Sequence, residues 1–217
     1  MFIPDSTAID RRHFLGFSIA AVALAWHPAM AQSASDASPS APIDLLDAAL
    51  LATMKAASSM SFEARYATLE PVIAQVFDLD AVLAASVGLS WATMPDAQKA
   101  SLAQAFRRYT VSSYVSNFNS YKGQTFAIAP AARTLANGEV IVQTRLMRAD
   151  DSPLKLDYVM RGGAAGWQAV DVLTDGSISR VAVQRSDFRQ LLASGGVARL
   201  TAGLERKVAN LSGGMTG

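Results

Sequence analysis

Apolar residues along this chain follow a helical spacing first and a strand spacing later, with the change near Gly123. From Ile43 to about Ser58, Leu46, Leu50 and Met54 recur every four residues, which predicts a helix. Ser61 is placed to cap a second helix carrying Phe62, Tyr66 and Leu69, and Pro71 is expected to break or restart it before Val72, Ile73 and Val76. A third helix is expected from Asp78 or Asp80 through Val82, Leu83 and Val87, stopping at Gly88. Thr93-Met94-Pro95-Asp96 reads as a helix start with Thr93 as cap. The helix after it is predicted from about Pro95 to Tyr121. It has one apolar stripe of Leu102, Phe106 and Tyr109 and another of Val111, Tyr114, Phe118 and Tyr121, so it meets neighbours around much of its circumference.

Beyond Gly123 the period is two. Strands are predicted at Gln124 to Ala129, Glu139 to Met147, Leu154 to Met160 and Trp167 to Leu173. Asn137-Gly138 is a hairpin signal, 149–153 reads as a turn, and Gly162 to Gly166 turns the chain back once more. Alternation puts Gln168, Val170 and Val172 on one face of the last strand and Trp167, Ala169, Asp171 and Leu173 on the other. Both faces are largely apolar, so both are expected to be covered. A short fifth strand is expected at Ser177 to Val183, then a helix capped by Ser186, closed by Gly195-Gly196, and a last helix through Val197, Leu200, Leu204 and Val208. The fold class is α+β: N-terminal helices packed on a curved four- to five-stranded antiparallel meander sheet, with C-terminal closing helices.

Composition narrows the functions available. The 217 residues are 51% hydrophobic, which suits one domain (43–211) with a sizeable core. A formal net charge of +1, with Lys and Arg dispersed, does not suit nucleic acid, whose binding rests on many phosphate contacts. Residues 1–31 read as an export signal: Arg11-Arg12, an apolar run from Phe14 to Trp26 too short to span a bilayer, and Ala29-Met30-Ala31 as the cleavage site. The string Asp10-Arg11-Arg12-His13-Phe14-Leu15-Gly16 resembles a twin-arginine motif, although it lacks the usual Ser or Thr before the pair and has Gly16 where Lys is usual; an ordinary Sec signal is the alternative. Either route implies a periplasmic product. Residues 32–42 read as a linker and 212–217 as a loose tail.

Both histidines, His13 and His27, fall inside the predicted signal, and the chain has no cysteine. A mature protein without either has no Ser-His-Asp or Cys-His pair, no imidazole or thiolate metal site and no disulfide. No cofactor and no metal are expected. Carboxylate chemistry stays open, with Asp157 or Asp171 as candidates on an apolar substrate.

Between Ile43 and Val208 several short stretches together resemble MlaC, the family of periplasmic phospholipid carriers also called toluene-tolerance proteins, including the hopanoid-associated HpnM relatives. They are Val87-Gly88-Leu89-Ser90-Trp91, Thr93 to Gln98, Phe106 to Tyr114, Tyr121-Lys122-Gly123 with Phe126, Leu156-Asp157-Tyr158, and Trp167 to Val172. Gly176-Ser177-Ile178, Arg185, Phe188 and Gly195-Gly196-Val197 complete the set. The resemblance implies a cone related to nuclear-transport-factor-2-like folds, with a deep apolar pocket for acyl chains and the head group at its mouth. It implies a phospholipid or hopanoid ligand, docking to an outer-membrane lipoprotein complex and an inner-membrane ABC transporter with MCE-domain proteins, a monomer, and no enzyme.

Burial of hydrocarbon is worth about 0.8 kcal/mol per methylene, so thirty methylenes bring roughly 25 kcal/mol gross against water. A carrier needs only to match the bilayer, and apolar walls without fixed charge suffice. On that basis the expected walls are Leu83, Val87, Phe106, Tyr109, Tyr114 and Phe118 from the helices. Val140, Val142, Leu156, Tyr158, Val172 and Ile178 are expected from the sheet, and Phe188 and Leu191 from the closing helices. Asp171 and Arg185 are expected to face each other or to bond backbone at the sheet edge; a contact to the lipid head group is the alternative. Three functions compete: a lipid shuttle, a carboxylate enzyme on an apolar substrate, and an accessory with a closed dry core.

Overall fold

The computed structural model describes residues 38–148 and 151–213. The expected export signal and cleavage site, the expected linker up to residue 37, and residues 214–217 of the expected tail lie outside them. Among the described residues five α-helices and seven strand segments follow in the order expected, helices first. The first helix, α1 (Ala41–Lys55), begins inside the anticipated linker because Pro42 fits the first turn, where its missing N–H costs nothing. In α2 (Phe62–Val76) Ser61 accepts from Ala64 N, as its position suggested, but Pro71 lies within the helix instead of ending it. Asp78 caps α3 (Leu79–Val87), and Gly88, at φ 72°, ends it.

A 3-10 turn (Gly88–Trp91) leads to α4 (Asp96–Asn117). Thr93 does not cap α4: Pro95 occupies the cap position, and Thr93 Oγ1 lies 3.5 Å from Ser90 O. The helix also stops a turn early, at Phe118.

The sheet is entirely antiparallel and keeps the meander, but its first two rows are each interrupted. β1 (Thr125–Ile128) and β2 (Arg133–Thr134) form the first row, parted near Pro130, which has no N–H to donate. β3 (Val140–Val142) and β4 (Thr144–Arg148) form the second, parted at exposed Gln143. β1 pairs with β4 and β2 with β3, and the β2–β3 turn holds Gly138 at φ 82°. β5 (Asp151–Gly163) runs the full length: its first half pairs with β4 and its second with β3. It begins earlier than expected, so Pro153 lies in the strand and not in a turn. β6 (Gly166–Thr174) covers the other edge of β5, and β7 (Ile178–Ser179) adds a two-residue step.

Two expectations fail at the C-terminal end. The 177–183 stretch is not a strand: β7 ends at Ser179, and α5 (Arg180–Leu211) starts at once. Ser179, not Ser186, caps it, accepting from Ala182 N at 2.9 Å. The two closing helices are present as expected, separated where Gly195 and Gly196 leave helical geometry; α5 names both together.

A bulge in β6 also breaks the simple alternation. Val159 pairs with Asp171 but Met160 pairs with Ala169, so Val170 is the extra residue. Ala169 belongs to the main core while Val170 joins Ile141 and Val159 in a small cluster on the opposite face. Beyond the bulge Val172 returns to the main core side. The bulge lies where the α2–α3 junction meets the sheet, since Asp78 N donates to Ala169 O at 3.1 Å. The main core fills the space between this half of the sheet and the helices. Leu69, Ile73, Leu83, Leu102 and Met160 are completely buried there. Trp167 packs over its cross-strand partner Gly162; a Cβ on that glycine would lie 3.6 Å from the indole.

Candidate binding cavity

At the other end of the sheet the helices stand away from the strands. They leave a cavity of about 550 Å³, within the range of ligand sites in proteins. Its deep wall is apolar and aromatic. Met54 from α1, Phe77, Leu79 and Val82 from the α2–α3 region, Phe106 from α4, and Leu146 and Tyr158 from the sheet are all buried there. Phe77 joins the layers, with ring centroids 5.7 Å from Tyr114 and 6.2 Å from Tyr158. Tyr114 stacks on Phe118 at 5.9 Å, and Phe118 meets Phe126 at 6.1 Å. Burial holds the Tyr114 phenol above its usual pKa and Tyr158 well above, Tyr158 being raised further by Tyr114 and Asp47. Both rings therefore stay neutral and act as walls. Leu154, Leu156 and Val172 continue the apolar lining towards solvent.

The mouth is polar. Exposed Asn117, Ser120, Arg148 and Arg180 lie on it, with half-buried Gln124, Thr174 and Gln184 between them. Arg148 also donates to Ser152 O at 2.9 Å, which orients it along the β4–β5 edge. Two guanidinium groups at the opening of an apolar hollow suit an anionic group held at the surface.

Of the residues expected as walls, Phe106, Tyr109, Tyr114, Phe118, Leu156, Tyr158 and Val172 line the cavity. Leu83, Val87, Val140 and Val142 do not. All four are buried, Leu83, Val87 and Val142 within the main core. Phe188 is buried edge-on against Phe106, 6.2 Å between centroids, and so backs the floor from behind. Leu191 packs within the kinked α5 against Gly203. Ile178 is 51% exposed on β7.

Asp171 and Arg185 do not face each other. Asp171 Oδ1 accepts from Val181 N at 3.0 Å and Val172 N at 2.8 Å, and its other oxygen accepts from the Ser179 hydroxyl. A strand carboxylate thus caps the first turn of α5, where free N–H groups and the helix dipole favour negative charge. Arg185 Nε donates to Ala85 O at 2.8 Å, satisfying a carbonyl in the last turn of α3. Each bonds backbone, one of the two arrangements expected. Asp157 is buried but lies outside the cavity, so the two carboxylates do not converge on one substrate site.

The polar side of α4 was missed. Thr110, Ser113 and Asn117 recur at helical spacing beside Phe106 and Tyr114, and all line the cavity. The walls are therefore not uniformly apolar. The spacing was legible, but nothing in it said that this stripe faces a hollow instead of bulk water.

The MlaC protein family model matches residues 46–206. The chain belongs to the MlaC family. The fold is also similar to that of a phospholipid-binding protein from Ralstonia solanacearum solved in complex with a phospholipid. The TM-score is 0.70 at 19% sequence identity, over 81% of this chain and 99% of that one. In this MlaC-family chain the match runs from within α1 to within the last turns of α5, so every cavity-lining residue falls inside it.

Proposed function

We propose that this protein is a periplasmic lipid carrier. It takes phospholipid acyl chains into the cavity, keeps the head group at the arginine-bearing mouth, and shuttles lipid between the outer and inner membranes as part of an Mla-type ABC transport system. The observation that carries the reading is the cavity itself: an aromatic and aliphatic floor opening past Leu154, Leu156 and Val172 to a mouth with Arg148 and Arg180. Family membership and a fold shared with a phospholipid-bound protein support it. The export signal in the sequence supports the compartment. Acyl chains in such a hollow lose little relative to a bilayer, so no reaction is needed, and direction must come from docking partners at each membrane. The separation of Asp157 from the cavity, and the use of Asp171 as a helix cap, speak against a carboxylate enzyme.

Native mass spectrometry of the purified mature protein, followed by lipid extraction, tests this. A bound mass matching a phospholipid is expected; a polycyclic triterpenoid in the extract would move the reading to the hopanoid relatives. Leu156→Trp puts an indole into the cavity and is expected to cut lipid occupancy at least tenfold, an effect of about 1.4 kcal/mol, with the far-UV CD retained. Undiminished lipid in this variant, or no lipid in the parent protein, would count against the proposal.

A further inference from the structure

Two stretches that stand out in the sequence take no part in the cavity wall: Tyr121-Lys122-Gly123 and Gly176-Ser177-Ile178. Both adjoin its mouth. Ser120 and Gln124 line the cavity, and exposed Tyr121 and Lys122 lie on the chain between them. Ile178 is the cross-strand partner of Thr174, which lines the mouth, and directly paired side chains share a face about 5 Å apart. Tyr121 is 40% exposed and Ile178 51%. Singly, such exposure is ordinary. Here the two come from separate parts of the rim, and cations accompany both. Lys55 Nζ stands 5.2 Å from the centroid of the Tyr121 ring, and Lys55 follows Met54, a lining residue. Arg180 lies two residues after Ile178, and Arg148 is on the mouth as well. The acid among the lining residues, Asp171, is committed to the start of α5. Exposed Asp175, next to Thr174, belongs to a groove with Lys155 and Asp157, which alternate along β5 with Leu154 and Leu156 and so mark the other face of the sheet.

Resting on the carrier reading above, we propose that this rim docks the mouth of the cavity directly on the surface of a bilayer that contains anionic lipid. Tyr121 and Ile178 enter the head-group layer, and Lys55, Lys122, Arg148 and Arg180 meet lipid phosphates. Each Lys or Arg near such a surface strengthens binding about fivefold, whereas two apolar side chains alone hold a protein weakly and reversibly. The charge complementarity therefore selects anionic membranes, and the small apolar contact lets the carrier leave again. Docked in this way, the mouth receives an acyl chain without exposing it to water on the way to Leu154, Leu156 and Val172. The lipid surface is then a docking partner in its own right, beyond any protein partner at either membrane.

The test is co-sedimentation of the delipidated full-length mature protein with vesicles of phosphatidylcholine alone and of phosphatidylcholine with about a quarter phosphatidylglycerol, at about 50 mM and about 500 mM salt. Adsorption to the phosphatidylglycerol vesicles at low salt is expected, about tenfold or more stronger than to phosphatidylcholine and largely lost at high salt. Leu156→Trp, which fills the cavity, is expected to adsorb as the parent does, because the rim makes the contact. Tyr121→Ser combined with Ile178→Ser is expected to weaken adsorption about five- to tenfold, with lipid occupancy by native mass spectrometry and the far-UV CD unchanged. No adsorption by the parent, equal adsorption to the two kinds of vesicle, or an undiminished double variant overturns this inference; bound lipid in the purified protein then leaves the carrier reading standing. Adsorption lost in Leu156→Trp would show capture of a lipid by the cavity and not docking, and overturns the inference as well. Neither bound lipid nor adsorption overturns both.

Discussion

The most conspicuous single residue is Asp47 on α1. It is 6% exposed, neither carboxylate oxygen has a hydrogen-bond partner among the described residues, and burial, then the neighbouring Asp44, raise its pKa from 3.8 to about 7. The sign of its effect is opposite to that of a salt-bridged aspartate. Between pH 4 and 7 the folded protein holds this proton and the unfolded chain does not, so stability falls as pH rises through that window. A rise from 3.8 to about 7 corresponds to a loss on the order of 4 kcal/mol by the time both states are ionised. Chemical denaturation at about pH 5 and pH 8 is expected to show the parent protein weaker at the higher pH. Asp47→Asn is expected to flatten the difference and to be the more stable protein at pH 8. A parent whose stability does not change over this range would show that the carboxylate has found a partner. Asp171, which the sequence did single out, makes the contrasting case: it is answered by two backbone N–H groups and a hydroxyl, and its importance lies in starting α5 where the cavity needs it.

Among the elements, α5 closes the site that α4 chiefly lines. Arg180, Val181 and Gln184 in its first turns line the cavity, Phe188 backs the floor, and after the kink the helix returns along α4, with Leu200 and Leu204 buried. The kink depends on Gly196 at φ 63° and ψ −160°, a conformation essentially closed to residues with a Cβ. Gly196→Ala is expected to destabilise the protein by about 1–3 kcal/mol in urea titrations, although a methyl there would meet no neighbouring atom within 4 Å. Unchanged stability would mean that the helix can straighten. Gly-Gly as a helix breaker was legible, and so were the α3 stop at Gly88 and the Asn137-Gly138 hairpin, because each depends on local backbone chemistry. The start of α5 was not: Ser186 has the chemistry of a cap as much as Ser179 does. What decides between them is Asp171, eight residues earlier on a different element, reaching Ser179 and the N–H of Val181. The β6 bulge was hidden for the same reason, being tied to a bridge between Asp78 and Ala169 across ninety residues of chain.

For the whole molecule, a hollow of about 550 Å³ leaves wall atoms without packing partners when it is empty, and a cargo that fills it stabilises the fold by linkage. At a free lipid concentration a hundred times the Kd the gain is about 2.7 kcal/mol, which for a domain of this size raises Tm by about 5–10 °C. Differential scanning fluorimetry of delipidated protein with and without added phosphatidylglycerol is expected to show that shift in the parent and most of its loss in Leu156→Trp. Equal shifts in both would place the lipid elsewhere. Among the described residues no helix is long and apolar enough to cross a membrane. The sequence by itself determined the α+β class and the order of helices and rows, because periods of 3.6 and two are set by backbone geometry. It also held the motifs that carry the family. Only the tertiary structure decided which covered residues face a hollow and which face solid core. Val142 and Leu156 carry the same periodic signal, yet the first is buried in the solid core and the second lines open space. Depth along a strand depends on how far a helix from another part of the chain stands off, and that distance is a sum of packing choices no local pattern records.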